Sequence, residues 1–162
     1  MAIFPRILVP YDGSPAAGRA LDLARSFATE TGGRPGTIVL CHAADLSAAL
    51  SVTDPSSDRG SLAPIDQYRA EMQQQLDGAA EAARAAGAVV ETTVVDGHPV
   101  EAVRAIAEER AVDAIVMGSH GRTGIARLVL GSTAEGVLRH ASVPVVVVRD
   151  PREDPAEPSA ES

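Results

Sequence analysis

At 162 residues the chain suits one domain with a sizeable core, and 45% apolar with 22% charged residues is ordinary for a globular protein. A formal charge of −8 argues against nucleic-acid binding, which needs a basic face. All fourteen basic residues are arginine, which excludes a Schiff base, a lysine general base and a P-loop lysine.

Cys41 is the single cysteine, so neither an intrachain disulfide framework nor a Cys-rich zinc site is available. No apolar run approaches the ~20 residues that span a bilayer, and the first residues lack the charge-then-apolar pattern of a secretory signal. A cytoplasmic protein with no membrane contact is the expectation. With Phe4, Tyr11, Phe27 and Tyr68 as its only aromatics, the chain must build its core from Ala, Val, Leu and Ile.

In chain order, "IFPRILVPYD" (3–12) reads as a strand and "GSP" as a turn, with Ser14 as N-cap and Pro15 at the first helical position. Ala17, Ala20, Leu21, Ala24 and Ala28 then share one helical face, and "TGGRPG" (31–36) stops the helix. "TIVLCHA" (37–43) is a second strand. The stretch 44–63, with scattered Ser, Asp, Gly and Pro, is a long loop of the functional or mobile kind. Ile65, Tyr68, Met72, Leu76, Ala79, Ala83 and Ala86 mark a long helix that Gly87 closes. "AVVETTVVD" (88–96) alternates in part, as expected nearer a sheet edge. Val100, Val103 and Ala107 mark a third helix, and "DAIVMG" (113–118) is apolar throughout, as a central parallel strand is. A short helix with Val137, Leu138 and Ala141 inward precedes "VPVVVVR" (143–149), the last strand. The domain is expected to end at 149, and 150–162, with five acids against Arg152 and several prolines, reads as a disordered tail. Five strands alternating with four helices predict a doubly wound α/β domain with its site at the carboxyl ends of the strands. The alternation leaves the strand order open.

"GSHGRTGIARLVLGST" (118–133) carries four glycines in sixteen residues where a parallel strand ends. Glycine lets a backbone approach a ligand closely, and Ser132 and Thr133 stand where they would cap a helix whose first N–H groups attract anions. Gly118, Gly121, Gly131 and Ser132 thus offer two sets of donors, with Arg122 as a nearby cation. The same residues equally suit a turn and an ordinary cap. The spacing is neither a Walker loop nor G-x-G-x-x-G.

Elsewhere, Asp12 suits either a turn contact with "GSP" or a ribose, adenine or Mg²⁺ contact, and Asp113 reads as a turn or cap. His120 can shape its turn or reach a phosphate. His42, His98 and His140 share no metal-ligand spacing and read as structural or exposed, and Cys41 as inert core. No catalytic set and no metal site follow from spacing; Ser119 beside His120 does not make one. The last strand lacks blunting residues apart from Pro144, so its edge invites pairing with a second copy.

The pattern G-x2-G-x9-G-[ST], met by Gly118, Gly121, Gly131 and Ser132, resembles the ATP-binding signature of the universal stress protein family. "RILVPYDGSP", "VLCHA" and "VDAIVMGSHGRTG…GSTAEGVLRHASVPVVVVR" resemble further blocks of that family, and together the likeness covers roughly residues 3 to 149. The resemblance implies a Rossmann-like fold of the adenine nucleotide alpha-hydrolase type, with a five-stranded parallel sheet in the order 3-2-1-4-5. It implies that Asp12 and the strand end near Ala43 meet the adenosine of ATP, and that Gly118, Gly121, Arg122, Gly131, Ser132 and Thr133 hold the phosphates, with or without Mg²⁺. Pro10, Met117, Ser119 and His120 complete the implied binding site. Ala43 stands where the family commonly has a larger aliphatic residue, and Thr133 where it commonly has valine. A homodimer through Val143 to Val148 is implied as well. The function expected from the resemblance is a nucleotide-dependent stress-response module. A slow ATP hydrolase using the same site and a nucleotide-free dimeric interaction protein are the alternatives.

Overall fold

The computed structural model describes residues 4–29, 35–45, 63–120 and 130–149. Gly121, Arg122, nearly all of the 44–63 stretch and the 150–162 tail lie outside the described residues. The strands are β1 (Arg6–Pro10), β2 (Thr37–Ala44), β3 (Val89–Asp96), β4 (Ala114–Gly118) and β5 (Val145–Val148). The helices are α1 (Pro15–Thr29), α2 (Ala63–Ala85), α3 (Pro99–Glu109) and α4 (Ser132–His140). The strands form one parallel sheet in the order β3-β2-β1-β4-β5.

Strand periodicity divides the core in two. Ile7, Val9, Ile38, Leu40, Val90 and Val116 face α1 and α2, while Leu8, Val39, Cys41, Ile115 and Met117 alternate with them to face α3 and α4. The chain winds outward from β1 to β3, then jumps back to β4. Crossovers keep one hand, so the helices change face where the direction reverses, and the strand ends diverge between β1 and β4. The start of β4 is tied to β1 by a reciprocal pair: Arg6 N–H donates to the Asp113 carboxylate at 2.8 Å, and Asp113 N–H to the Arg6 carbonyl at 2.8 Å.

Several local expectations need correction. β1 and β5 are shorter than the apolar runs suggested, and α2 ends one residue before Ala86, which is exposed in the turn that follows. Leu138 does not point inward but is 45% exposed. Gly136 of α4 faces Val100 of α3. Leu138 lies about 200° further round the helix at 3.6 residues per turn, on the flank away from α3, where among the described residues no strand follows β5. Ser132 is not the cap of α4 either: it is the first helical residue, and Gly131, with φ −61° and ψ 152°, occupies the cap position.

Candidate functional site

The loop after β1 is built by short-range chemistry. One Asp12 carboxylate oxygen accepts the Ser14 N–H at 2.9 Å, and Ser14 Oγ accepts the Ala17 N–H at 3.2 Å, capping α1. Gly13 sits at φ +79°, a left-handed conformation that side chains disfavour, with the Gln75 side chain of α2 lying over the place a Cβ would take. Asp12 therefore has the turn role weighed for it, and the turn holds its carboxylate at the carboxyl end of β1.

The loop after β4 is clasped at both ends. A Cβ on Gly118 would come within 2.8 Å of the Ala16 Cβ and 3.0 Å of its carbonyl carbon, so β4 reaches α1 only as glycine. Gly131 N–H donates to the Ser119 carbonyl at 2.8 Å, and a Cβ there would lie 2.9 Å from that same oxygen. Ser119 N–H in turn bonds the Val148 carbonyl at 2.8 Å. Two backbone contacts thus bring Ser119 and His120 beside the start of α4. His120 Nδ1 lies 3.2 Å from Ser119 Oγ.

In α4 the first intrahelical bond runs from Glu135 N–H to the Gly131 carbonyl at 2.9 Å. The N–H groups of Ser132, Thr133 and Ala134 therefore have no acceptor within the helix, and all three residues line the same cavity. That cavity, about 550 Å³, opens at the carboxyl ends of β1, β2 and β4. Pro10, Asp12 and Ala43 line it from one side, and Met117, Gly118, Ser119, His120, Gly131, Ser132 and Thr133 from the other. Gly121 and Arg122 are beyond what the structure describes.

Sequence reasoning missed part of the wall. Pro99 and Val103 close the cavity from α3, together with Leu130 and Ala134. A helix in the crossover from β3 to β4 carries no local sign that its first turns overhang this crevice. His42 also belongs here. It is 8% exposed, its Nδ1 lies 2.9 Å from the Tyr11 carbonyl, and its Nε2 lies 3.1 Å from the Tyr68 hydroxyl. The Tyr11 hydroxyl pKa is raised, first by burial and then by the charges of Asp12 and Asp22. Burial also pushes the Cys41 thiol up to about 12. Among the described residues no three His, Cys, Asp or Glu side chains cluster as metal ligands, and no helix is long and apolar enough to cross a membrane.

A parallel sheet wound outward from its middle, with a crevice at the carboxyl ends where the winding reverses, defines a doubly wound α/β protein of the Rossmann-like class. Within that class, the chain belongs to the universal stress protein family, whose model matches residues 4–149. It is 31% identical over 157 residues to universal stress protein MJ0531 of Methanocaldococcus jannaschii, covering 94% of this chain and 86% of that one. It is 32% identical over 154 residues to universal stress protein Rv1636 of Mycobacterium tuberculosis, covering 91% and 98%. Among solved structures, MJ0577 of M. jannaschii superposes with a TM-score of 0.77 at 30% identity, covering 90% of this chain and 95% of that one. A universal stress protein solved in complex with cAMP superposes with a TM-score of 0.60 at 25% identity, covering 90% and 97%.

Proposed function

We propose that the crevice binds ATP, with or without Mg²⁺, and that the chain is a cytoplasmic nucleotide-dependent regulatory module of the stress response. The observation that carries this reading is the union, in one cavity, of the open N–H groups that begin α4 with the strand ends of β1 and β2. Phosphates fit the first end, because a helix N-terminus offers directed donors and a positive partial charge. The nucleoside fits the second end, where Asp12 stands beside the last residues of β2. A relative that takes a cyclic adenine nucleotide supports a purine nucleotide as the ligand class.

Magnitudes assign work to both ends. Micromolar affinity corresponds to about 8 kcal/mol. Charge at a helix N-terminus contributes about 0.3–1 kcal/mol, so burial of base and ribose against Met117, Val103 and Leu130 must supply a large share.

The test uses the position of Ser132. Proline is well tolerated at the first residue of a helix, and Gly131 before it already has the extended backbone that proline requires of its predecessor. Ser132→Pro therefore deletes one phosphate donor while keeping the helix, and Ser132→Ala keeps that N–H. By calorimetry with Mg²⁺ present, ATP binding should weaken on the order of tenfold in Ser132→Pro, as for one hydrogen bond to a charged group. Adenosine binding should stay level, and Ser132→Ala should resemble the wild type. No ATP binding by the wild type would overturn the reading in favour of a nucleotide-free interaction protein. Steady release of ADP would convert it to a slow hydrolase. Gly131→Val is a poorer probe, since its side chain would collide with the Ser119 carbonyl whatever the ligand.

A further inference from the structure

The hydrogen-bond ladder of the sheet changes where the cavity begins. In a parallel pair, a residue that donates its N–H to the neighbouring strand also offers that strand its carbonyl, one rung further along. Tyr11 N–H donates to the Cys41 carbonyl at 2.7 Å, so the next rung would run from Ala43 N–H to the Tyr11 carbonyl. β1 does not take that rung. Its register with β2 ends at Pro10↔Cys41, while β2 continues with β3 as far as Ala44↔Asp96.

The Tyr11 carbonyl goes to His42 instead, 2.9 Å from Nδ1. A carbonyl can only accept, so His42 carries a proton on Nδ1, and its Nε2 lies in hydrogen-bond reach of the Tyr68 hydroxyl at 3.1 Å. Strand alternation puts the His42 ring on the α1 and α2 side of the sheet, while the residue also lines the cavity. Tyr68 reaches it from α2, and neither ring needs to touch a ligand for the arrangement to matter.

We propose that His42, held by Tyr68, is a positioning residue that stops β1 and β2 from zipping shut at the mouth of the crevice. Ala43 then presents its backbone N–H and carbonyl along one edge as an adjacent donor and acceptor. Ala43 is already the residue that the resemblance places against adenosine. Such a pair suits a planar base with a ring acceptor beside an amino donor; the new element is the role of His42 in keeping that pair open. The base-reading half of this inference rests on the proposed nucleotide site; the ladder half does not.

Two readouts test it on the full-length protein. The first is amide hydrogen exchange at Ala43 by NMR in nucleotide-free protein. His42→Leu removes the competing donor, so the Tyr11 carbonyl turns to Ala43 and exchange there slows by about tenfold or more, as for an amide newly hydrogen-bonded in a sheet. His42→Asn, which keeps an N–H donor, restores wild-type exchange. Tyr68→Phe, which removes one hydroxyl and keeps the ring, shifts exchange in the same direction by less. The second readout is the affinity ratio of ATP to purine riboside triphosphate, which lacks the amino group. The ratio is on the order of ten in the wild type and falls toward one in His42→Leu, while inorganic tripolyphosphate binds both proteins alike. Unchanged Ala43 exchange in His42→Leu and Tyr68→Phe overturns the inference. So does an unchanged affinity ratio. A wild type that binds no ATP defeats the nucleotide reading and leaves Ala43 exchange to decide the role of His42.

Discussion

Cys41 sits in β2, 1% exposed, on the face of the sheet that α3 and α4 cover. Burial holds its pKa at about 12, against an ordinary 9.0. The folded chain keeps the thiol protonated where the unfolded chain would ionise. This group's contribution to stability is thus complete below pH 9 and is lost as pH rises from 9 toward 12. Two outcomes follow. A disulfide reagent such as DTNB should label native protein at pH 8 only as fast as the core opens, and at once in denaturant. Raising the pH from 8 to 11 should also lower the urea midpoint of the wild type more than that of Cys41→Ala. Fast, stoichiometric labelling of the native protein would show that the thiol is not held in the core. At the same scale, Gly118 and Gly131 are explained by close backbone approach. That reason holds with or without a ligand, so these glycines do not by themselves argue for a phosphate.

Among the elements, α4 carries the donors and α3 holds α4 in place. A Cβ on Gly136 would lie 2.6 Å from Val100 Cγ2, so the two helices meet at a glycine facing a branched side chain. Gly136→Ala should cost about 1–3 kcal/mol by overpacking. Val100→Ala should cost a similar amount by leaving a void, since the valine is 9% exposed. Combined, the two should cost less than their sum by about 1 kcal/mol, because the new methyl fills the space that the valine leaves. Urea denaturation of the four proteins checks the cycle, and strict additivity would mean that the helices separate freely. The side chains in the ion pairs of Glu91 with Arg6 and Arg110 are 30–40% exposed, and these pairs contribute little by comparison.

For the whole molecule the open question is the outer edge of β5. It pairs with β4 on one side, its four valines are half-buried, and Leu138 is exposed on the flank of α4 beyond it. An apolar edge of this kind fits a second copy of the chain, in line with the homodimer through Val143 to Val148 that the family resemblance implies. Ladder parity supplies a clean test. Ile115 N–H bonds the Pro144 carbonyl and Ser119 N–H the Val148 carbonyl, so Pro144, Val146 and Val148 face β4 while Val145 and Val147 point outward. Val147→Pro removes one outward N–H and leaves the β4 ladder intact. Sedimentation velocity should show the wild type at twice the 16.7 kDa chain mass and Val147→Pro at that mass. A wild type that sediments as a monomer would overturn that implication.

The sequence by itself determined the alternation of five strands with four helices, the Ser14–Pro15 start of α1 and the clustering of glycines after β4, while it left Asp12 between a turn and a ligand contact. Each of the three follows from backbone sterics or side-chain period within a few residues. Its motifs also carried the family resemblance, and with it the strand order that the hydrogen bonds display. What depended on distant partners was decided only by the tertiary structure. Ser132 looked like a cap until the Gly131–Ser119 contact placed the cap one residue earlier. Leu138 fell outside the core because, among the described residues, the sheet ends at β5. Pro99 and Val103 became walls of a cavity whose other sides lie in β1, β2 and β4. His42 read only as structural or exposed in the sequence because its partners, Tyr11 and Tyr68, stand 31 and 26 residues away. A rung of the ladder can go to a neighbouring strand or to a side chain, and packing of α2 against the sheet decides between them.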